Sequence, residues 1–150
     1  MAATVIAAVA ALAAIGGLFR AVLEFQAQGR QRRAEYFLAV TERFFSNEQF
    51  LAICTLLDER DEGAIAQLPW SLRREFIGFV EEVALLVNSG LISREIAYYM
   101  LGYYPLRAVE SPAFMHGVNW DSQYWAVFFD FISSMRRLEE FPPPTKAFRL

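Results

Sequence analysis

The sequence predicts an all-α protein, with an N-terminal single transmembrane helix continuing into a small cytoplasmic helical bundle of about five helices. Three observations lead there. Residues 2–19 carry no charge and only Thr4 as a polar side chain, and Arg20 follows at once. Beyond them, apolar residues recur at intervals of three and four. Pro, Gly and Ser fall where those periodic stretches begin or stop. The expected division is a transmembrane anchor and juxtamembrane helix over residues 1–29, a cytoplasmic helical domain over 30–141, and a proline-rich, mobile tail over 142–150.

The anchor rests first on length. About twenty apolar residues at 1.5 Å each cross a roughly 30 Å hydrocarbon core. Extending the run through Ala21, Val22 and Leu23, with Arg20 snorkelling to the headgroups, reaches that length. Val5, Ile6, Val9, Leu12, Ile15, Leu18, Phe19, Val22 and Leu23 supply the driving force, because alanine is nearly neutral for insertion. A buried or interfacial soluble helix is the competing reading. At 100° per residue, Ala3, Ala7, Ala10, Ala14, Gly17 and Ala21 fall on one narrow stripe. Such a face admits another helix closely, either a second copy or another membrane subunit; an alanine-rich run also produces stripes by chance. Arg20, Arg30, Arg32 and Arg33 follow the run and suit anionic headgroups. Their position puts the N-terminus outside and the C-terminal domain in the cytoplasm. A cleaved signal peptide would want a basic segment ahead of the apolar core, and residues 1–4 have none.

Bulk composition narrows the function classes. A net charge of -3 argues against nucleic acid, which needs a basic stripe to neutralise phosphates. The single cysteine, Cys54, forms no internal disulfide and fits a reducing compartment. With one histidine, His116, the chain has no metal site needing two or more. No cofactor is expected.

After the anchor the helical pattern continues to Phe45, with Tyr36, Phe37, Val40, Phe44 and Phe45 on one side and Gly29 as a point of bending. Ser46 with Gln49 reads as a capping box opening a helix that buries Phe50, Ile53, Cys54, Leu56 and Leu57. The acidic run 58–63 (DERDEG) reads as a solvated loop. Pro69 suits the first turn of a helix ending near Asn88, ahead of Gly90. That helix should bury Phe76, Phe79, Val80, Val83, Leu86 and Val87, with Arg73, Arg74, Glu75, Glu81 and Glu82 on its polar side. Neither Glu81 nor Glu82 begins a Glu-x-x-His element, so a dinuclear carboxylate centre is not expected. Ser93 should cap a short helix through Leu101. Tyr98, Tyr99, Tyr103 and Tyr104 then cluster around Gly102. They form a contact surface, or more simply fill the core with hydroxyls at the rim. Ser111 and Pro112 open a turn of helix. Asp121 is the expected cap of a last helix, apolar nearly all round, that includes Trp125 and Phe129 and is stopped by the prolines at 142–144.

The strings RRAE at 32–35 and FFSNE at 44–48, with FVEEVA at 79–84, GLIS at 90–93 and LGYY at 101–104, carry a resemblance. With the preceding apolar run, the chain resembles a bacterial family of small proteins of unknown function, each with one N-terminal transmembrane helix and a cytoplasmic helical domain. The likeness spans residues 30–140. It implies a bacterial origin and an all-helical fold, and carries no catalytic residues.

Function follows from these features as three expectations. The leading one is a non-enzymatic, single-pass interaction protein of the bacterial inner membrane. It would be an accessory or assembly subunit of a larger complex or a homo-oligomer, with membrane lipid and another transmembrane helix as partners. Its candidate partner surface is Tyr98, Tyr99, Tyr103, Tyr104, Trp125 and Phe129. The second is a membrane-associated hydrolase using His116 with Asp121 or Glu110, although a lone histidine without a nucleophile is more often structural. The third is a small-molecule sensor with its ligand among Tyr98, Tyr103 and Trp120.

Overall fold

The computed structural model describes Gly17, Arg20, Glu24, Gln28, Gly29 and residues 31–147, and every regular element among them is helical. Helix α1 covers residues 31–46, and Gln28 and Gly29 are helical too. It is followed by α2 (Glu48–Glu59), α3 (Glu62–Gln67), α4 (Trp70–Asn88) and α5 (Arg94–Ala97). A π-helical turn (Tyr98–Gly102) leads into α6 (Tyr103–Glu110), then α7 (Pro112–Met115), a 3-10 turn (Gln123–Trp125), α8 (Ala126–Glu140) and a last 3-10 turn (Thr145–Ala147). The bundle is thus divided more finely than about five helices. Ala3, Ala7, Ala10, Ala14 and Ala21, like most of the apolar run, lie outside the described residues. Among the described residues, no helix is long and apolar enough to cross a membrane.

Local chemistry sets most boundaries, sometimes one residue from where the sequence placed them. The cap of α2 is Asn47, whose Oδ1 accepts from the N–H of Gln49 at 3.0 Å and of Phe50 at 3.2 Å. Ser46 instead bonds back to the Arg43 carbonyl and closes α1. The acidic run is not a simple loop: Asp61 accepts from Ala64 N–H and starts α3. A charged sequence becomes helical here because a capping carboxylate satisfies an otherwise orphaned donor. Ser93 caps α5 as expected, but the helix passes at Tyr98 into a π turn. Gly102 ends that turn where a Cβ would meet Tyr98 Cδ2 at 3.0 Å and Met135 Sδ at 3.4 Å. Asp121 does not cap the last helix. Ser122 caps the 3-10 turn that precedes it, and α8 itself starts without a side-chain cap.

The core is one cluster centred on phenylalanines. Phe44, Phe76, Phe114 and Phe128 are each at most 1% exposed. Helix α4 runs through the middle and packs against α8, although Leu85 of α4 is left 57% exposed. Phe44 joins α1 to the bundle, with ring centroids 5.4 Å from Phe79, 5.9 Å from Phe50 and 6.2 Å from Phe76 and Tyr104. Beside it the Arg43 guanidinium pairs with both carboxylate oxygens of Glu82 and lies 4.9 Å from the Phe79 ring centroid. Burial, with help from the Asp58 charge, pushes the Cys54 thiol up to about 12, so the free cysteine behaves as a small core hydrophobe.

Among the described residues, one non-glycine position has a strained backbone. Helix α2 ends with Arg60 in the left-handed region at φ 53°, its N–H bonded to Leu57 O and the Asp61 N–H to Leu56 O. This end favours glycine, because any Cβ crowds the following carbonyl. Arg60→Gly is expected to stabilise the fold by about 0.5–1 kcal/mol, read as a higher urea midpoint at unchanged slope. A lower midpoint would show that the arginine side chain contributes more than its backbone strain costs.

Candidate partner-binding surface

The site is built outward from a four-residue helix held at both ends. Ser111 caps α7 by accepting from Phe114 N–H at 3.1 Å. Glu62, on α3, accepts from the Ser111 hydroxyl at 2.9 Å and from Ala113 N–H at 3.0 Å. At the other end Arg73, reaching from α4, donates through one guanidinium nitrogen to the carbonyls of Ala113 (3.1 Å), Phe114 (2.7 Å) and His116 (2.9 Å). A carboxylate at the start and a guanidinium at the end complement the groups a helix leaves unpaired. Arg73 is only 8% exposed, with no carboxylate partner among the described residues. The centre of the Trp70 ring lies 5.2 Å from the guanidinium carbon. The sequence placed Arg73 on the polar side of α4 and Glu62 in a solvated run. The structure corrects the first, since Arg73 lies one turn before Phe76 and Ile77 on the face α4 buries, whereas Glu62 stays exposed but sits on α3 rather than in a loop.

This clamp fixes the segment leading to α8. Gly117 turns the chain at φ +87° and Val118 is buried. Asn119 and Ser122 each accept from a backbone N–H two residues on. From that segment Trp120 and Tyr124 project outward, while Trp125 is half-buried against the core. Trp120, 54% exposed, stacks on Phe129 with centroids 4.4 Å apart and planes 21° apart. The pair lines an open groove of about 800 Å³ with Val109 and Ile132 as apolar wall and Arg136 and Arg137 along it. A second groove of about 490 Å³ lies between Trp70, Arg74, Glu81, Tyr124 and Trp125. There Trp70 and Trp125 meet edge to face at 6.2 Å, and burial raises the Glu81 carboxyl, partly offset by the Phe128 backbone N–H.

The residues singled out from sequence are distributed differently. Trp125 and Phe129 line separate grooves. Tyr98 and Tyr104 are half-buried against the core, the Tyr104 hydroxyl donating to Asp58 at 3.2 Å, and burial with the Asp58 charge raises its pKa. Tyr99 and Tyr103 are exposed, Tyr103 edge-on to Tyr104 at 5.1 Å. Neither Tyr98 nor Tyr103 lines the groove that Trp120 lines. The His116 side chain is exposed and makes no hydrogen bond to Glu110 or Asp121 among the described residues; Glu110 pairs with Arg107. Of the arginines that the sequence assigned to headgroups, Arg20 pairs with Glu24 at 2.9 Å, Arg32 is exposed, Arg33 is half-buried and Arg30 lies outside the described residues. Gly17, from the small-residue stripe, is helical and exposed. Arg136 and Arg137 were not anticipated. Arg136 follows Ile132 by four residues and Arg137 follows Ser133 by four, and that spacing was the available signal, because it sets each beside a groove residue on α8.

No protein-family model matches the chain, and neither a curated protein nor a solved structure shows significant similarity to it.

Proposed function

We propose that this protein is a non-enzymatic interaction subunit, tethered to the bacterial inner membrane by its apolar leading segment, with the helical domain on the cytoplasmic side. It serves as an accessory or assembly component of a larger membrane complex, or as a homo-oligomer. The observation that carries the reading is the stacked Trp120–Phe129 pair, left open in a groove beside two arginines by a segment that Arg73 and Glu62 hold in place. Large exposed aromatics on a preorganised support supply contact area at low entropic cost, and such residues dominate binding energy at interfaces. Arg136 and Arg137, only partly offset by Glu140 on the same groove, select for a partner segment with acidic side chains beside its apolar ones. The apolar run 2–19 followed by arginines supports the tether.

The test is a photo-crosslinking residue at Ser133, an exposed position lining the groove, in the full chain in native membranes. A discrete adduct is expected. Trp120→Ala should weaken its formation by about thirtyfold, as loss of about 2 kcal/mol at an interface anchor does. A chain that remains monomeric in mild detergent and forms no adduct from this position would overturn the proposal. Release of the protein from membranes by an alkaline wash would remove the tether while leaving the groove in question.

A further inference from the structure

A second surface, away from the aromatic grooves, has the composition of an anion site. Helix α4 ends at Ser89 and Gly90, the glycine at φ +73°, and the N–H groups of Leu91 and Ile92 both fold back onto the Leu86 carbonyl at 3.0 and 3.2 Å. This reversal brings the 90–94 segment beside α1. Between them is a pocket of about 460 Å³ whose lining includes Arg33 from α1, Val87 from the last turn of α4, and Ser93, Arg94, Glu95 and Ile96.

The charges there are unspent. Arg20, Arg43 and Arg107 each have a carboxylate partner. Among the described residues, the side chains of Arg33 and Arg94 have neither an ion pair nor a hydrogen bond. The Nε of Arg33 is moreover shielded from solvent with no acceptor. A buried donor without a partner is costly and uncommon, and is satisfied in most proteins by protein, water or ligand. Two guanidinium groups on one pocket also repel each other unless an anion lies between them. Glu95 offsets one of the two charges, so the pocket keeps a net positive charge.

We propose that this pocket binds a phosphate group. Two planar guanidinium forks can each offer paired donors to a tetrahedral oxyanion, whose several oxygens engage both at once; a carboxylate fills only one fork. The Ser93 oxygen already accepts from Ile96 N–H at 3.2 Å, which leaves its proton to donate. Val87 and Ile96 give the pocket an apolar wall that suits the stem of a phosphate ester. The same chemistry is offered by an anionic phospholipid headgroup and by a soluble phosphate. The proposal goes beyond the interaction role and does not depend on it.

The test uses the full chain in mild detergent with two probes: radiolabelled inorganic phosphate in equilibrium dialysis, and phosphatidylglycerol against phosphatidylcholine as lipid retained in native mass spectrometry. Arg33→Gln and Arg94→Gln should each weaken binding about tenfold or more, the scale of a lost charge-assisted contact. Glu95→Gln should strengthen it. Lys146→Gln, which removes a positive charge at an exposed position of the tail, should leave it within about twofold. Circular dichroism confirms that each variant keeps its fold. Retention of phosphatidylglycerol alone assigns a lipid ligand, binding of inorganic phosphate alone assigns a soluble one, and binding of both assigns the phosphate group itself. Failure to bind either probe, or an equal loss in Lys146→Gln, overturns the proposal.

Discussion

Replacing Arg73 by methionine should destabilise the helical domain by about 2–4 kcal/mol, the scale of one or two buried carbonyls left without a donor. Methionine fills much of the same volume, so the loss is polar rather than a cavity. Three carbonyls, those of Ala113, Phe114 and His116, lose their donor. Each stranded acceptor that stays buried costs about 1–3 kcal/mol. Against this stands the gain from no longer burying a guanidinium whose Nε lacks an acceptor. Exchanging a whole buried polar set for apolar groups can be neutral, but here only the donor leaves and the carbonyls remain, so the penalty wins. Arg73→Lys keeps the charge and three donors on a shorter point group, and should recover part of the loss. Urea unfolding reads the difference as a shifted midpoint. The adduct from Ser133 should also fall in Arg73→Met at temperatures where the domain remains folded, because the clamp on α7 positions Trp120. A midpoint equal to that of the unsubstituted chain would mean that solvent or a rearranged loop satisfies those carbonyls at no cost.

Phe44→Ala should cost about 3–5 kcal/mol, as truncation of fully buried phenylalanines does. Phe44 is 1% exposed, and its ring meets those of α2, α4 and α6. It and Val40 are the buried contacts of α1. The Arg43–Glu82 pair alongside is half exposed on both sides and contributes little alone. The damage should therefore be local as well as global: amides of residues 31–46 should exchange before those of α4 and α8. Phe45→Ala, at a side chain 48% exposed, should shift stability far less, within about 0.5–1 kcal/mol. If exchange in α1 stayed as slow in Phe44→Ala as in α4, the helix would be held by something other than this ring.

Much of the helical layout was legible because it depends on neighbours in sequence. Ser93 and Ser111 cap helices where expected, and the stretch from Trp70 to Asn88 is helical as its apolar spacing implies, with Pro69 just ahead of it at the N-cap. The errors came where two adjacent residues could do the same job. Asn47 rather than Ser46, and Ser122 rather than Asp121, hold the capping positions. Short polar side chains are near-equivalent caps, and only the path of the flanking backbone selects one. Of the aromatic surface, Trp125 and Phe129 could be picked out by type. That Trp120 would stack on Phe129, while Tyr98 and Tyr104 turn inward, could not.

What the sequence determined alone is the alternation of apolar and polar residues, and with it an all-helical chain led by an uncharged segment. Periodicity and capping act over a few residues, so they are written locally. The tertiary structure alone decided that Arg73 and Glu62, both charged and ordinary in sequence, become the two ends of a clamp, acting on partners 40 or more positions away. It likewise decided that Arg33 and Arg94 share one pocket. A charge is costly to bury until a complementary group arrives from elsewhere in the chain, so its fate depends on which distant backbone the fold brings to it.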